Sequence, residues 1–580
     1  MKYEHIRKAN FISRPNRFTA YARIDGKEEM IHVKNTGRCA ELLKPEAVIY
    51  VQESNSRERK TKWDLIAVEK GSRMINMDSQ IPNKVVKEWL EKGNLFEDIT
   101  LIKPEYTYGN SRFDIYVETG KTKALIEVKG VTLEENGVVR FPDAPSDRAV
   151  KHVQELRKAV EEGYEAYVFF VIQMKGVRYF TPNIDTHLAF AEALQEAAGA
   201  GVHILAYDCN VTKEEIALAD SVEVVLENPE LYELSVPLIE WYRKNKRSLP
   251  WRENPEAYRV WISEIMLQQT RVEAVKAYYD RFLKELPTVR DLAEAEEDQL
   301  LKLWEGLGYY NRVRNMQKAA WQIMTEHDGR FPKTYEEIRT LQGIGSYTAG
   351  AICSFAYGLP EPAVDGNVLR VVTRILADDS DIMKQRTKNR IEAALKKVIP
   401  EYAASDFNQG LIELGALVCV PNGEPKCGQC PAAHLCRARK ENRVMDFPVK
   451  TKAKERRIEK KTILVFRDED KIAIGKRDKK GLLAGLYELP NLPGHLGRKE
   501  LEKYCKEIGL MPLRIKKLSA AKHIFSHVEW QMIGYDIRVD ELEKTNKEEF
   551  LFIHPEEIQK TYPIPAAFEM YMPKPAVSGI

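Results

Sequence analysis

Residues 341–370 read LQGIGSYTAGAICSFAYGLPEPAVDGNVLR, and two short groups within that run decide how the larger half of the chain is read. Gly343 and Gly345 flank Ile344 between two helical patterns, so a tight turn there would offer backbone N–H groups and a helix N-terminus to an anion. The turn carries no long polar side chain, which suits a grip on nucleic-acid phosphates without sequence readout. After a proline-interrupted loop, VDGN at 364–367 reads as the start of the next helix and sets Asp365 near the grip. Taken singly, a GxG is a common turn and Asp365 an ordinary helix N-cap. The company they keep changes the reading.

Upstream, residues 260–271 (VWISEIMLQQTR) form a helical pattern in which apolar side chains surround one carboxylate, Glu264. A glutamate among Trp261, Ile265 and Leu267 is partly desolvated, which raises its pKa and suits it to hold a proton as a general acid. Downstream, Cys419, Cys427, Cys430 and Cys436 are spaced C-x7-C-x2-C-x5-C. Four thiolates so spaced suit a metal centre, and a set without histidine leaves zinc and an iron–sulfur cluster open while disfavouring copper.

These motifs, with LPWR at 249–252, GLGYY at 306–310 and FSH at 525–527, make residues 234–575 resemble the A/G-specific adenine DNA glycosylases of the helix–hairpin–helix superfamily, the MutY proteins. The resemblance implies an all-α glycosylase domain over residues 233–440 with a [4Fe–4S] loop at 419–436. It implies Glu264 as the acid that protonates adenine and Asp365 as the anion that stabilises the cationic sugar. Trp251, Arg252, Leu267, Gln269, Thr270 and Tyr347 are implied as pocket or DNA-binding residues, with Gly343 and Gly345 in the hairpin and Tyr309 inserting near the opposing base. Backbone-cutting relatives carry lysine where Tyr347 stands, and a phenol forms no Schiff base, so a monofunctional enzyme is expected rather than a glycosylase/lyase. The family's first cysteine gap is six residues against seven here, an insertion that a loop with Pro421 and Gly423 can absorb.

The first 80 residues alternate like short strands and suggest a small barrel, with Arg14, Arg17, Arg38, Arg57, Arg59 and Lys60 as basic residues and Tyr21, Tyr50 and Trp63 for base stacking. Next, SRFDIYV at 111–117 and KALIEVKG at 123–130 read as adjacent strands presenting Asp114, Glu127 and Lys129 at their ends. That set would supply two hard oxygen ligands for Mg²⁺ and an ammonium to orient water. Asn35-Thr36-Gly37, FPDA at 141–144, Arg148 and Lys151-His152 complete a resemblance to the SfsA (sugar fermentation stimulation) family over residues 1–230. It implies an OB-like β-barrel (1–80) and an α/β PD-(D/E)xK nuclease-like domain (81–232) that binds single- or double-stranded DNA, with a non-catalytic DNA-binding module as the alternative. The acidic segment ENPELYEL (227–234) reads as the joint, with helices beginning at Pro237.

Residues 437–461 carry eleven Lys/Arg against four Asp/Glu, a basic linker at 441–460 that can follow phosphates. From 461 to 580 the pattern resembles the family's α+β Nudix-like domain, but the acidic series of nucleotide hydrolases is missing after Glu488. Phe525, Ser526 and His527 are implied in recognising 8-oxoguanine. The whole is thus expected to be a multidomain monomer of 580 residues acting on duplex DNA with A:8-oxoguanine or A:G mispairs. With 44% hydrophobic residues, a net charge of +2, no signal-peptide pattern and no run of eighteen apolar residues, a cytoplasmic location without membrane contact is expected. Of eight cysteines, Cys39, Cys209, Cys353 and Cys505 read as incidental.

Overall fold

The computed structural model describes every residue except 36, 55–60, 452–454, 469, 548 and 574–580. Thr36, Arg57, Arg59 and Lys60 lie outside the described residues. The chain divides into two compact units, Met1–Tyr232 and Glu233–Ile580.

In the first unit the strands Ile6–Ser13, Thr19–Ile24, Lys27–His32, Val48–Glu53 and Trp63–Lys70 close into a barrel, because Lys27–His32 pairs both with its hairpin neighbour and, in parallel, with Trp63–Lys70. Closure removes the free edges a five-stranded sheet would expose. Two expected stacking aromatics are buried: Trp63 lies in the barrel interior, while Tyr50 faces out of the barrel and packs in the cluster of helix Ile81–Glu91, its hydroxyl donating to Glu69 at 2.7 Å. A ring covered on either face of the barrel wall packs before it can stack on a base.

The second part of this unit is a six-stranded mixed sheet whose centre is three parallel strands, Lys123–Val131, Glu165–Ile172 and His203–Val211. The twofold period of the strands sorts the faces. Ile126, Phe169 and Val171 pack with helix Ile81–Glu91, while Leu125, Val168 and Phe170 pack with helices Asp147–Glu161 and Ile184–Gly199. The helix at the division of the units begins at Pro229, earlier than expected, so the acidic segment is itself helical.

The second unit opens with short helices around a core that includes Trp261, Phe282 and Trp304. Helices Tyr335–Thr340 and Ser346–Ala351 form the hairpin, and a π-helical turn, Ile352–Ala356, continues the second. Gly343 has φ +79°, and a Cβ there would stand 2.7 Å from that of Asn315, so both backbone and space require glycine. Gly345 is extended at φ −88° with open space around it. The closing domain is a sheet built on the parallel pair Arg457–Asp468 and Val528–Val539, with helix Arg498–Glu507 on one face and helix Pro555–Thr561 on the other. The basic run is not a free linker at its start. Phe447 is buried, its carbonyl accepts from Arg374 at 3.0 Å, and Val449 accepts from the Ile382 N–H at 3.1 Å.

Candidate active sites

Helix Ala257–Leu267 buries almost every side chain along its length, and Glu264 is buried with them at 5% exposure. Its one hydrogen-bond donor is the Tyr347 hydroxyl from the first turn of the hairpin's second helix. Burial, with the charge of Asp365 adding to it, lifts the Glu264 carboxyl to about 7 against the pull of the Tyr347 hydroxyl and Arg252. A group so placed keeps its proton near neutrality.

Asp365 is the N-cap of helix Gly366–Leu376. Its Oδ1 accepts from the N–H of Asn367 at 2.9 Å and of Val368 at 2.8 Å, and its Oδ2 from the Asn367 side chain at 2.6 Å. Burial raises its carboxyl, and these three donors together with the helix N-terminus act in favour of the anion. What brings the two acids together is a close contact at Gly350. A Cβ there would stand 2.0 Å from the Pro362 carbonyl oxygen, so only glycine lets the loop leading to Asp365 lie against the hairpin helix.

Both carboxylates line one cavity of about 970 Å³, together with Trp251, Arg252, Leu267, Gln269, Thr270 and Tyr347. Gln269 follows the Glu264 helix in a left-handed conformation, φ +62°, and is exposed. Arg252 is not free: it donates to Glu413 at 2.8 Å and to Gln409 at 2.9 Å. Glu413 is fully buried and also takes Arg247 at 2.7 Å, and although burial opposes it, the two arginines hold its carboxyl down to about 2. Sequence reading passed over Glu413. The signal was there, since it is the single carboxylate inside the apolar run LIELGALV, the same sign that singled out Glu264.

Tyr309 lies outside that cavity. It is 47% exposed with φ +48°, and its hydroxyl meets Ser526 Oγ at 3.3 Å. A second residue missed in the sequence, Arg312, donates to the carbonyls of Ile265 and Gln268 at 2.6 Å and to those of Leu307 and Gly308 at 3.0 and 3.1 Å. It thereby ties the end of the Glu264 helix to the Tyr309 turn. His527 is exposed, whereas Phe525 packs edge-on against Trp530 at 4.9 Å and acts as the anchor of its loop.

The four cysteines line a second, apolar cavity. Helix Gly366–Leu376 runs from Asp365 to this loop, where Arg374 reaches Cys419 Sγ at 3.2 Å and Arg370 the Cys419 carbonyl at 2.8 Å. The extra residue of the first gap lies in an irregular bend with Gly423 at φ +75°. Among the described residues, no three His, Cys, Asp or Glu side chains are drawn together tightly enough for a single metal ion. Four sulfurs around a shared cavity fit a cluster of several metal atoms.

In the first unit, Asp114 and Glu127 lie within their strands rather than at the ends. The pairing of Ser111–Thr119 with Lys123–Val131 begins at Ile115↔Ile126, and beyond it the Asp114 carboxylate itself accepts from the Val128 N–H at 2.9 Å. Asp114 also accepts from Asn83 at 2.7 Å; burial and the adjacent Glu127 charge raise its carboxyl. Glu127, 2% exposed, takes Lys129 at 2.6 Å and His152 on Oε1, while Oε2 is buried without a hydrogen-bond partner. Burial works to raise Glu127, but His152 and Lys129 outweigh it and hold the carboxyl below its ordinary value. An orphaned, ionised oxygen beside a second carboxylate fits a divalent cation. Lys129 is thus engaged with Glu127 rather than free to orient water, and His152 is the contact that sequence reading gave no role.

Comparison with known proteins divides along the same lines. Residues 12–77 match the SfsA N-terminal OB domain, 80–215 the sugar fermentation stimulation protein RE domain, 262–401 the HhH-GPD superfamily of base excision DNA repair proteins, and 462–574 the NUDIX domain. Over 226 residues the chain is 59% identical to the sugar fermentation stimulation protein homolog of Clostridium beijerinckii, covering 39% of this chain and 100% of that protein. Among solved structures, SfsA of Pyrococcus furiosus in complex with Ca²⁺ is 29% identical over 39% of this chain and 98% of its own, with a TM-score of 0.37. A trapped endonuclease III–DNA covalent intermediate is 26% identical over 37% of this chain and 98% of its own, with a TM-score of 0.32. Among the described residues no helix is long and apolar enough to cross a membrane.

Proposed function

The chain belongs to the sugar fermentation stimulation protein family through its first unit and carries a base excision repair DNA glycosylase domain in its second; from that premise we propose that the second unit excises adenine paired with 8-oxoguanine or guanine by hydrolysis of the N-glycosidic bond, and that the first is a DNA-binding, metal-dependent nuclease. The observation that carries the first half of this reading is the unequal support of two acids on one cavity. Glu264, with a single hydroxyl donor, keeps a proton near pH 7; Asp365, with three N–H donors and a helix N-terminus, keeps a charge. Adenine is a poor leaving group until protonated, and the sugar it leaves is cationic, so hydrolysis needs one acid in each state.

In this mechanism an adenine turned out of the duplex enters the cavity beside Trp251 and Leu267. Glu264 gives its proton to a ring nitrogen, the glycosidic bond breaks, and Asp365 stabilises the positive sugar. Glu264, now ionised, takes a proton from the water that adds to the sugar. Tyr347 occupies the position where a lyase needs an amine, and its phenol is engaged with Glu264, so the product is an intact abasic strand. Tyr309 and Ser526, in contact with each other, are assigned to the opposing base, with His527 beside them. Cys419, Cys427, Cys430 and Cys436 would hold a [4Fe–4S] cluster. Bound there it would serve structure, because Arg370 and Arg374 tie the helix capped by Asp365 to the same cysteine loop.

In the first unit Asp114 and Glu127 would hold Mg²⁺, which supplies Lewis-acid activation of water when bound. Lys129 and His152 keep Glu127 ionised for that task. The protein would be a cytoplasmic monomer.

The test is a duplex carrying one A opposite 8-oxoguanine. Strand scission at that A after alkali, lost in Glu264→Gln, is the expected result. Scission without alkali that persists in Glu127→Ala would instead make the second unit a lyase and overturn the assignment of Tyr347.

A further inference from the structure

Arg148, Lys151 and His152 stand out in the sequence but have no part in the mechanism above beyond the contact of His152 with Glu127. In the structure they lie on one face of helix Asp147–Glu161, at its start, where the positive end of the helix dipole adds to their charge. Opposite them is the turn entering strand Ser111–Thr119. Between the two lies a cavity of about 560 Å³ lined by Asn110, Ser111, Arg112, Asp147, Arg148, Lys151 and His152.

We infer that this cavity is a phosphate-binding subsite for a nucleic-acid strand, seated beside the Asp114–Glu127 carboxylate pair. Three cations ring it: Arg112, Arg148 and Lys151. Lys151 spans it, donating to the Asn110 carbonyl at 3.0 Å from the opposite wall, with Glu155 of its own helix 3.9 Å away. Arg148 approaches His152 through Nε at 3.5 Å, which leaves the outer fork of its guanidinium toward a ligand, the geometry that suits paired phosphate oxygens. Three carboxylates work against an anion: the exposed Asp147, Glu105 at 3.6 Å from Arg112, and Glu155 at 3.9 Å from Lys151; among the described residues Arg148 has no carboxylate partner, and with the helix N-terminus it turns the site toward an anion.

An independent observation also points to a ligand. Ser111 lines the cavity at 6% exposure, and its hydroxyl makes no hydrogen bond. A buried hydroxyl without a partner costs free energy, and a ligand oxygen could meet this one only with a small turn of the Ser111 side chain toward the cavity. The chemistry of the occupant follows from the neighbour. His152 Nδ1 touches Glu127 Oε1, so a group bound here lies one imidazole away from the orphaned oxygen that fits a divalent cation. An anion held by cations on one side and a divalent metal on the other is a phosphate, and a channel open to solvent admits it as part of a strand.

The inference rests on reading the first unit as a nucleic-acid enzyme, and the experiment separates the two. In the full chain, the double variant R148Q/K151Q and the single variant S111A are compared with the unaltered protein. A fluorescein-labelled single-stranded 12-mer is titrated with Ca²⁺ and without it, and hydrolysis of the same strand is followed with Mg²⁺. The Ca²⁺-dependent part of strand binding is expected to weaken at least tenfold in R148Q/K151Q and severalfold in S111A. The slope of log affinity against log salt should fall by roughly 0.7 for each cation removed. Binding to a duplex with A opposite 8-oxoguanine should stay within twofold, and an unchanged thermal melting profile of the full chain reports that the altered first unit folds. If the strand is hydrolysed, KM should rise at least tenfold with kcat within threefold. Absence of hydrolysis in the unaltered protein, with Ca²⁺-dependent binding still lost in R148Q/K151Q, sinks the nuclease reading and keeps the subsite. Ca²⁺-dependent strand binding unchanged in R148Q/K151Q overturns the subsite, whatever the nuclease activity.

Discussion

Each unit of this protein holds a carboxylate pair with a buried glutamate, and the two glutamates are tuned in opposite directions. Glu264 and Asp365 are separated by what donates to them: one hydroxyl against three N–H groups, with no lysine or histidine among the described residues bonded to either. Glu127 instead receives Lys129 and His152 on one oxygen and leaves the other bare, next to Asp114. Burial raises carboxyl pKa values in both places; in the first nothing cancels it at Glu264, and in the second two cations reverse it at Glu127. On the proposed reading, a pair that moves a proton and a pair that holds a cation therefore differ in the donors around their glutamates.

The largest effects should come from breaking each pair on its own. Glu264→Gln and Asp365→Asn should each lower single-turnover adenine release by about 10³-fold, the upper range for loss of a positioned acid or a charge-stabilising group. Glu127→Ala should abolish Mg²⁺-dependent strand hydrolysis and leave adenine release within twofold. Loss of both activities in any one of these variants would mean that a shared fold, not a site, had been damaged.

The next test concerns the arginine pair that borders the first cavity. Glu413→Gln strands Arg247 and Arg252 beside a buried amide and should cost about 3–5 kcal/mol of stability, read by denaturant melting. Because the folded Glu413 carboxyl sits near 2, below its ordinary 4.5, the stabilisation is present above pH 4.5 and is lost as pH falls toward 2.

Glu264 should behave in the reverse sense. Its folded value of about 7 lies above the ordinary 4.5, so its contribution falls as pH rises from 4.5 to 7 and stays a cost beyond. Glu264→Gln should therefore gain up to roughly 3 kcal/mol of stability at pH 8 while losing activity. In the unaltered enzyme, adenine release should decline as pH rises through 7. The smallest effect is expected from Tyr347→Phe. Removing a donor that favours the anion should move that alkaline limb upward by a fraction of a unit and change the rate by less than about tenfold, as loss of one hydrogen bond would. A limb that does not move would mean that another group sets it.

Much of this was legible along the chain because some signals are local. A carboxylate amid apolar residues marks Glu264, a cap pattern marks Asp365, and closely spaced cysteines mark a metal loop. Glu413 gave the same local sign and was passed over because no motif stood beside it. Arg312 gave none, since its partners are four carbonyls, two from the distant end of the Glu264 helix and two from the turn just before it, and a carbonyl looks alike in every sequence. Tyr50 and Trp63 read as available for stacking because alternation shows that two faces exist without saying which is inside or what covers the other.

The residues alone determined the order of the domains and named the acids, thiols and phenol on which the proposed mechanism rests. Only the folded chain decided that Glu264 is buried beside the Tyr347 hydroxyl while Asp365 caps a helix, that the seemingly free Arg252 is held by Glu413, and that Glu127 keeps one bare oxygen. The reason is physical: a side chain's chemistry is a property of its own atoms, but its pKa and its free valences are set by neighbours that burial brings from far along the chain.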